Sequence, residues 1–364
     1  MKLGLGLYKQ ILTDDNFRFA KQAGATHIVA QLVDYIKGDS PTLTKDFLKG
    51  WGTTQNEGKL WQYEDLLALR KQVESHGLTL AAIENFDPSH WFDILLDGPK
   101  KKQQMEDVKT MIRSIGKAGI PIMGYYFSLA GVWGWTNGPM GRGDANSIVF
   151  DADKINVNDP LPNGMVWNMT YDTAPAPGTI GSISRQEMWG RLKYFLDELM
   201  PVAEEAGVKM VAHPDDPPLP VMRDTARLFY STEEYEKLLT INPSDNNGFE
   251  LCMGTIQEMI GSDVYDMLDR YSKAGKIMLE DAANIANMTP TSFCKYFKNR
   301  TQKTFSNFVN EIRIGYACKL LCEDDLSISE ICYRAGFNNL TNFNRNFKVF
   351  TKLSPTDFRN SLRL

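Results

Sequence analysis

Cysteine and histidine are both scarce in this sequence, which has five cysteines and four histidines among its 364 residues. The cysteines are odd in number and lack the spacing of a disulfide framework, which fits a reducing compartment. Apolar runs are short as well. None approaches the roughly 20 residues that span a bilayer, and the N-terminal segment becomes polar too early for a secretory signal. We therefore expect a cytoplasmic protein without a membrane partner.

A linker rich in Pro, Gly or Ser is also missing, although a chain of this length exceeds the usual single core and favours two domains. The pattern of apolar and polar residues instead changes between Lys273 and Asp281. Apolar runs alternate with amphipathic helices before this junction, and short helices with almost no strand pattern follow it. We therefore predict domains at residues 1–278 and 279–364. The second contains 12 Lys and Arg against 8 Asp and Glu, and the first 28 against 37, which suggests different partners.

Residues 1–278 contain six repeats of a strand followed by a helix. The predicted strands are residues 3–8, 26–32, 78–84, 120–127, 208–212 and 248–252. Apolar strands that alternate with amphipathic helices form a parallel sheet with helices outside, and this repeat length favours an α/β fold of the (β/α)₈, or TIM, barrel type. A doubly wound sheet is the alternative. Its phosphate-binding glycines are missing, because Gly4 and Gly6 lie inside a strand and Lys9 stands where the third glycine would be.

Two residues with metal-binding side chains follow successive predicted strands. His213 begins the segment His213-Pro214-Asp215-Asp216-Pro217-Pro218, and Cys252 ends the next strand. Because parallel barrel strands end at one mouth, the imidazole and the thiolate could share a divalent transition metal there. The alternative is that Cys252 is a core residue and His213 is simply hydrogen-bonded. A long insertion at residues 131–181, which contains Arg142, is either a substrate-capping segment or a surface loop.

Together these residues resemble the mannonate dehydratase family, across roughly residues 1–275. The most specific motif is the segment that starts at His213, and the second is Gly248-Phe249-Glu250-Leu251-Cys252-Met253-Gly254. The resemblance implies a barrel enzyme that converts D-mannonate to 2-dehydro-3-deoxy-D-gluconate and water, with His213 and Cys252 as ligands of Mn²⁺. It also implies a second histidine after strand seven and an aspartate after strand eight. We assign Arg142, Asp215 and Asp216 to substrate binding.

The two further ligands that this resemblance implies are missing from the sequence pattern. Strands seven and eight cannot be found before the junction, and His213 is the last histidine of the chain. We therefore expect an incomplete barrel of about six of eight units that lacks half of its metal site. Two protein ligands bind a divalent metal weakly, so we expect impaired dehydratase activity. The open edges of such a barrel could also pair with another chain and form oligomers.

Residues 279–364 are predicted to be entirely helical. The predicted helices are residues 280–287, 290–298, 305–321, 327–335 and 340–350. Two helix-turn-helix units joined by a longer helix are the implied architecture. We expect four phenylalanines to lie in the core, because the two members of each pair are four residues apart on one helical face. They are Phe293, Phe297, Phe343 and Phe347.

This segment resembles the AraC/XylS type of DNA-binding domain over about 85 residues. The motifs that carry the resemblance lie at residues 328–339, 343–348 and 353–359. The resemblance implies binding to double-stranded DNA, because recognition helices of this kind present polar and basic side chains to base edges. A solvated helix face is the alternative explanation for these side chains. The predicted DNA-contacting residues are Thr291, Ser292, Lys295, Tyr296, Asn338, Asn339, Thr341, Asn342 and Arg345.

Three functional interpretations follow. The first is a chimeric chain whose complete DNA-binding domain regulates transcription and is fused to a dehydratase-like barrel with an impaired metal site. The second is an active metal-dependent mannonate dehydratase of hexuronate breakdown. The third is a regulator whose first domain senses a sugar acid such as D-mannonate. We favour the first, because the junction falls where one pattern loses its next strand and the other begins its first helix.

Overall fold

The computed structural model describes residues 3–33, 52–54, 59–141, 143–264, 266–267, 271, 305–323, 326–337 and 339–362. The chain forms two compact units, one of residues 2–267 and one that contains residues 268–364. The predicted boundary at residues 278 and 279 lies outside the described residues, so the domain limits stay a prediction. None of the described helices combines the length and the apolar character that a membrane span requires.

A six-stranded parallel sheet organises the larger unit. Its strands follow one another across the sheet in the order of the sequence. They are β1 (Gly4–Tyr8), β2 (His27–Gln31), β3 (Thr79–Glu84), β4 (Ile122–Tyr125), β5 (Lys209–Ala212) and β6 (Asn247–Phe249). The predicted parallel sheet with helices is therefore confirmed. Among the described residues, β1 and β6 each have one neighbour in this sheet, and the incomplete barrel stays a prediction.

Seven α-helices whose limits both lie within the described residues accompany these strands. They are α1 (Asp14–Gln22), α2 (Tyr63–Ser75), α3 (Pro88–Leu96), α4 (Lys101–Lys117), α5 (Arg185–Ala206), α6 (Thr232–Ile241) and α7 (Met253–Glu258). The limits of α5 follow from its sequence. Ser184 and Glu187 form a capping box at its start, and Gly207 adopts the left-handed conformation at its end, with φ of 67°.

The helices pack through close contacts on the sheet. Gly116 of α4 lies against α5, where an added Cβ atom would stand 2.3 Å from the Ala206 carbonyl oxygen, so only glycine permits this approach. Phe195 of α5 contacts Tyr125 of β4, with ring centroids 5.2 Å apart, and Trp91 of α3, with centroids 5.7 Å apart. All three aromatic side chains are fully buried. These contacts fix the carboxyl end of β4 beside the loops that follow the strands.

The insertion at residues 131–181 packs against this same end of the sheet. Residues Trp135–Gly138 and Ser147–Phe150 form an antiparallel hairpin, and Met165–Val166 pairs with Met169–Thr170. The buried Trp167 donates its indole N–H to the Tyr126 carbonyl oxygen at 3.0 Å. The insertion is thereby joined to the segment that follows β4.

The described part of the smaller unit is helical, as predicted. Its helices are α8 (Phe305–Glu323), α9 (Ile328–Arg334), α10 (Leu340–Thr351) and α11 (Pro355–Leu362). Phe343 and Phe347 are fully buried with Ile331 and Cys332, which confirms their predicted place in the core. The helices predicted at residues 280–287 and 290–298, with Phe293 and Phe297, lie outside the described residues.

Candidate functional site

His213 follows β5 and is held in one orientation by the backbone around it. Its amide donates to the Tyr125 carbonyl oxygen at 2.8 Å, and its ring Nδ1 atom lies 2.7 Å from the Pro214 carbonyl oxygen. A carbonyl oxygen only accepts hydrogen bonds, so Nδ1 carries the proton. The Tyr126 ring packs edge-on against the imidazole, with centroids 5.7 Å apart. The Nε2 atom is therefore the one that can bind a metal, in the arrangement common to histidine ligands.

Two glutamates meet His213 at the carboxyl ends of the strands. Glu84 is the last residue of β3, and Glu250 follows β6 directly. One ligand atom from each of Glu84, His213 and Glu250 lies within 4.8 Å of the others. Carboxylate oxygen and imidazole nitrogen are donors that suit divalent ions such as Mn²⁺. The residues therefore fit the metal that the sequence predicted, with two donors that the sequence analysis did not assign.

The distance between these two glutamates is related to the curvature of the sheet. Two strands, β4 and β5, separate β3 from β6. With neighbouring strands about 4.8 Å apart, β3 and β6 would lie about 14 Å apart in a flat sheet. Their carboxylate oxygens lie within 4.8 Å of one another, so the two side chains extend toward each other across this distance, and the curvature of a barrel-type sheet would shorten it.

The electrostatics of the group favour a bound cation. Burial, together with the neighbouring Glu84 carboxylate, raises the pKa of Glu250 to about 7, although His213 acts in the opposite direction. Burial lowers the pKa of His213, but its hydrogen bond with Cys252 and the charges of Glu250 and Glu84 outweigh that effect and raise the pKa to about 9. The ionised form of Glu250 is thus disfavoured by the neighbouring carboxylate, and positive charge is favoured beside it.

Cys252, the other ligand that the sequence predicted, is hydrogen-bonded to His213, but among the described residues the group of converging ligand atoms contains only Glu84, His213 and Glu250. The hydrogen bond with His213 is the main cause of a lowered pKa of the Cys252 thiol, and burial opposes it. The Thr255 hydroxyl lies 3.2 Å from Sγ and donates to it. These contacts favour the thiolate, which is the form that binds metals.

Asp215 and Asp216 have different surroundings. The fully buried Asp215 carboxylate accepts from Arg227 Nε at 2.9 Å and from the amides of Leu228 and Phe229 at 2.9 Å and 2.7 Å. These contacts hold the loop after β5 rather than face a ligand. Asp216 is half-buried, and Arg142 lies outside the described residues. The assignment of all three to substrate binding stays a prediction.

In the smaller unit, α9 and α10 form a helix-turn-helix. Ser327 and Glu330 form a capping box at the start of α9, and Gly336 turns the chain after it with φ of 78°. Asn339 then caps α10, because its side chain accepts from the Asn342 amide at 2.8 Å. Glycine suits this turn since its φ is positive, a region that other residues rarely adopt.

The described residues that were predicted to contact DNA from the second helix-turn-helix lie on or beside α10. Thr341 and Arg345 are exposed. Arg345 donates to the Asn342 side-chain oxygen at 3.0 Å, and the half-buried Asn342 also accepts from the Asn346 amide group at 2.8 Å. These bonds orient the guanidinium group on the helix surface. Five predicted DNA-contacting residues lie outside the described residues, namely Thr291, Ser292, Lys295, Tyr296 and Asn338.

The fold and the site define a class: a parallel α/β unit with a potential metal centre at its strand ends, combined with a helix-turn-helix module. The D-mannonate dehydratase family model matches residues 19–313, and the chain belongs to this family. A helix-turn-helix domain model matches residues 282–361, so the AraC-type resemblance is also confirmed. The two matches overlap at residues 282–313, beyond the predicted limit of the first domain.

Individual relatives agree with this assignment. Mannonate dehydratase 2 of Halalkalibacterium halodurans is 31% identical over 245 residues, which cover 65% of this chain and 70% of the relative. Mannonate dehydratase of Streptococcus pneumoniae is 32% identical over 239 residues, which cover 63% of this chain and 64% of the relative. The crystal structure of mannonate dehydratase from Streptococcus suis serotype 2 has 26% identity and a TM-score of 0.56, covering 76% of this chain and 71% of that one. This chain thus spans about two thirds of the length of these relatives.

Proposed function

We propose that the protein binds specific DNA sequences and regulates transcription through a domain at residues 279–364, fused to a mannonate dehydratase-type unit that takes a sugar acid. The observation that carries this proposal is the exposed polar face of α10 on a packed helix-turn-helix core. The second helix of this helix-turn-helix, α10, has short polar side chains and one guanidinium group at the surface. Groups of these kinds contact base edges in the major groove.

The proposed contacts differ in kind. Arg345 is exposed and oriented by Asn342, so it is suited to a bidentate contact with guanine. Thr341 is exposed in the first turn of α10. The N-terminal end of a recognition helix is the end that contacts bases. Asn339 uses its side chain as the cap of α10. It therefore contributes to DNA binding first by fixing the start of the helix.

The test uses the full chain and duplexes selected from a random pool. Binding is followed by fluorescence anisotropy at several salt concentrations. Arg345→Ala should weaken binding to the selected duplex by about 1–3 kcal/mol and relax the sequence preference at one position. Lys193→Ala removes the same charge from an exposed site on α5 and should leave affinity unchanged. Absence of salt-dependent binding, or equal losses in both variants, would contradict the proposal.

A second candidate function is the dehydration of D-mannonate by the larger unit. The group of Glu84, His213 and Glu250, with Cys252 hydrogen-bonded to His213, favours it, because a divalent metal held there would supply a Lewis acid for removing a hydroxyl group from a sugar acid. His213 contributes a ring nitrogen whose orientation is fixed by the Pro214 carbonyl oxygen. Cys252 contributes a thiol beside that ring, and its hydrogen bond with His213 lowers its pKa.

This second function is tested by incubating the chelator-treated full chain with Mn²⁺ and D-mannonate and measuring 2-dehydro-3-deoxy-D-gluconate. Cys252→Ser should abolish any turnover. Cys322→Ser, at an exposed cysteine of α8, should not. No turnover by the wild-type chain, or turnover that survives Cys252→Ser, would exclude dehydration at this site and leave the DNA-binding proposal untouched.

A further inference from the structure

We propose that Glu84 and Glu250 are metal ligands in this chain, together with His213, and take the place of the two ligands that the resemblance implies after strands seven and eight. This inference rests on the proposed metal-dependent function of the same unit. The site would bind a divalent ion that is coordinated by carboxylate oxygen, such as Mn²⁺. Its ligands would come from β3 and from the segments directly after β5 and β6.

The first support is the convergence of donors from three separate strands. One donor atom of each residue lies within 4.8 Å of the others, although the three positions are far apart in the sequence. Ions of this kind bind ligand oxygen at about 2–2.2 Å, so donors around one ion lie up to about 4.4 Å apart. The observed spacing is therefore close to that of a ligand set before small adjustments of side-chain rotamers.

The second support is the way in which Glu84 is held. The Gln31 side chain at the end of β2 donates its amide N–H to Glu84 Oε2 at 3.1 Å. A hydrogen bond from a neighbouring residue commonly orients a carboxylate ligand at a metal site. His213 is held in a comparable way by the Pro214 carbonyl oxygen at 2.7 Å. Two of the three donors thus have a partner that fixes their direction.

The third support is the space between the two glutamates. Gly124 of β4 faces both of them: an added Cβ atom would lie 3.4 Å from Glu84 Cγ and 3.5 Å from Glu250 Oε2. A side chain larger than alanine would therefore enter the space where the carboxylates converge. The glycine at this position leaves room there, in a strand whose other side chains at Met123 and Tyr125 are fully buried.

The alternative is that the two glutamates only stabilise the fold by pairing with a charged His213. The two roles differ in their response to metal. A ligand role predicts that removing one carboxylate lowers metal affinity and removes the metal's effect on the thermal midpoint. A pairing role predicts that the same change lowers the thermal midpoint of the metal-free chain and leaves metal affinity unchanged.

The experiment compares the full-length wild type with Glu84→Gln and Glu250→Gln after chelator treatment. Mn²⁺ binding is measured by isothermal titration calorimetry, and the thermal midpoint is measured with and without Mn²⁺. Glu258→Gln, at an exposed carboxylate of α7 outside the group, is the control. We expect the wild type and the control to bind Mn²⁺ and gain thermal stability. Both ligand variants should lose at least about tenfold in affinity, as ligand and near-ligand changes do.

Two outcomes would overturn the inference, and they are distinguishable. If the wild type binds Mn²⁺ and both ligand variants bind it equally well, the glutamates are not ligands, while the proposed metal-dependent function stands. If the wild type does not bind Mn²⁺, both the inference and that candidate function fail. Neither result affects the DNA-binding proposal, because Arg345 and Thr341 belong to the smaller unit.

Discussion

Arg227 and Asp215 form an ion pair between two side chains that are both fully buried, with Nε 2.9 Å from Oδ1. The guanidinium group also donates to the carbonyl oxygens of Pro217, Gly131 and Asp216 and to the Tyr126 hydroxyl. The pair therefore joins the loop after β5 to the segments that follow β4. Since this loop begins at His213, the ion pair helps to position the candidate metal centre.

Removing Arg227 should strongly destabilise the larger unit, because Asp215 would remain as a buried charge without its partner. We expect Arg227→Leu to lower the free energy of unfolding by about 3–5 kcal/mol. Urea denaturation followed by tryptophan fluorescence measures this unit alone, since all seven tryptophans precede residue 190.

The matched control for this change is Lys193→Ala, which breaks the exposed pair between Lys193 and Asp197 on α5. Exposed pairs contribute little, so the change should lower the free energy of unfolding by less than about 1 kcal/mol. Similar losses in both variants would show that the buried pair has no special role.

Gly336 in the turn between α9 and α10 should not tolerate a side chain. Its φ is 78°, and an added Cβ atom would lie 3.1 Å from Arg313 Nε. Gly336→Ala should therefore reduce the local stability of the helix-turn-helix by about 1–2 kcal/mol. Hydrogen exchange in peptides from residues 326–351 of the full chain measures this change, with about 5–30-fold faster exchange expected.

Gly315 provides the matched control, because it lies within α8 and an added Cβ atom would meet nothing within 4 Å. Gly315→Ala should stabilise the helix by about 0.5–1 kcal/mol. Equal exchange rates in the two variants would contradict the assignment of strain to the turn.

Arg345 and Lys348 of α10 should contribute differently to DNA binding. Lys348 is exposed in the last turn of the helix. If it neutralises a phosphate, Lys348→Ala should weaken binding to all sequences alike and reduce the slope of log affinity against log salt by about 0.9. Arg345→Ala should instead reduce the difference between the selected duplex and an unrelated one. Anisotropy titrations with both duplexes at three salt concentrations separate these effects.

Two substitutions at Gly124 should test the space at the candidate metal centre while all proposed ligands remain. An alanine Cβ atom would touch the two glutamates at 3.4 Å and 3.5 Å, which is ordinary contact, so Gly124→Ala should bind Mn²⁺ much as the wild type does. The two methyl groups of Gly124→Val would reach further into this space, and we expect at least about a tenfold loss of affinity by calorimetry.

Tryptophan fluorescence during urea denaturation would show whether the valine variant keeps the fold of the larger unit. Valine is favoured in strands, so we expect the variant to remain folded. Unchanged Mn²⁺ affinity in the folded valine variant would mean that the metal does not bind between Glu84 and Glu250.

The sequence by itself determined the order of elements and the limits of the best-capped ones. The α5 helix at residues 185–206 has its start set by Ser184 and its end by Gly207, both local effects. The sequence also predicted that His213 and Cys252 lie at the same end of the sheet, because each follows a strand of one parallel sheet. The α3 helix was not predicted, although its segment is mostly apolar, Asp87 caps it and Pro88 starts it. It is an additional helix after β3, which a repeat of one helix per strand does not include.

Only the tertiary structure decided the composition of the candidate metal centre. Glu84 and Glu250 read as ordinary polar residues at strand ends, because the distance between β3 and β6 depends on how strongly the sheet curves. In a flat sheet the two strands would lie about 14 Å apart, and the directions of the two side chains also decide how closely their oxygens approach, which is within 4.8 Å. Sheet curvature results from the packing of many side chains and helices together, and no local pattern encodes it.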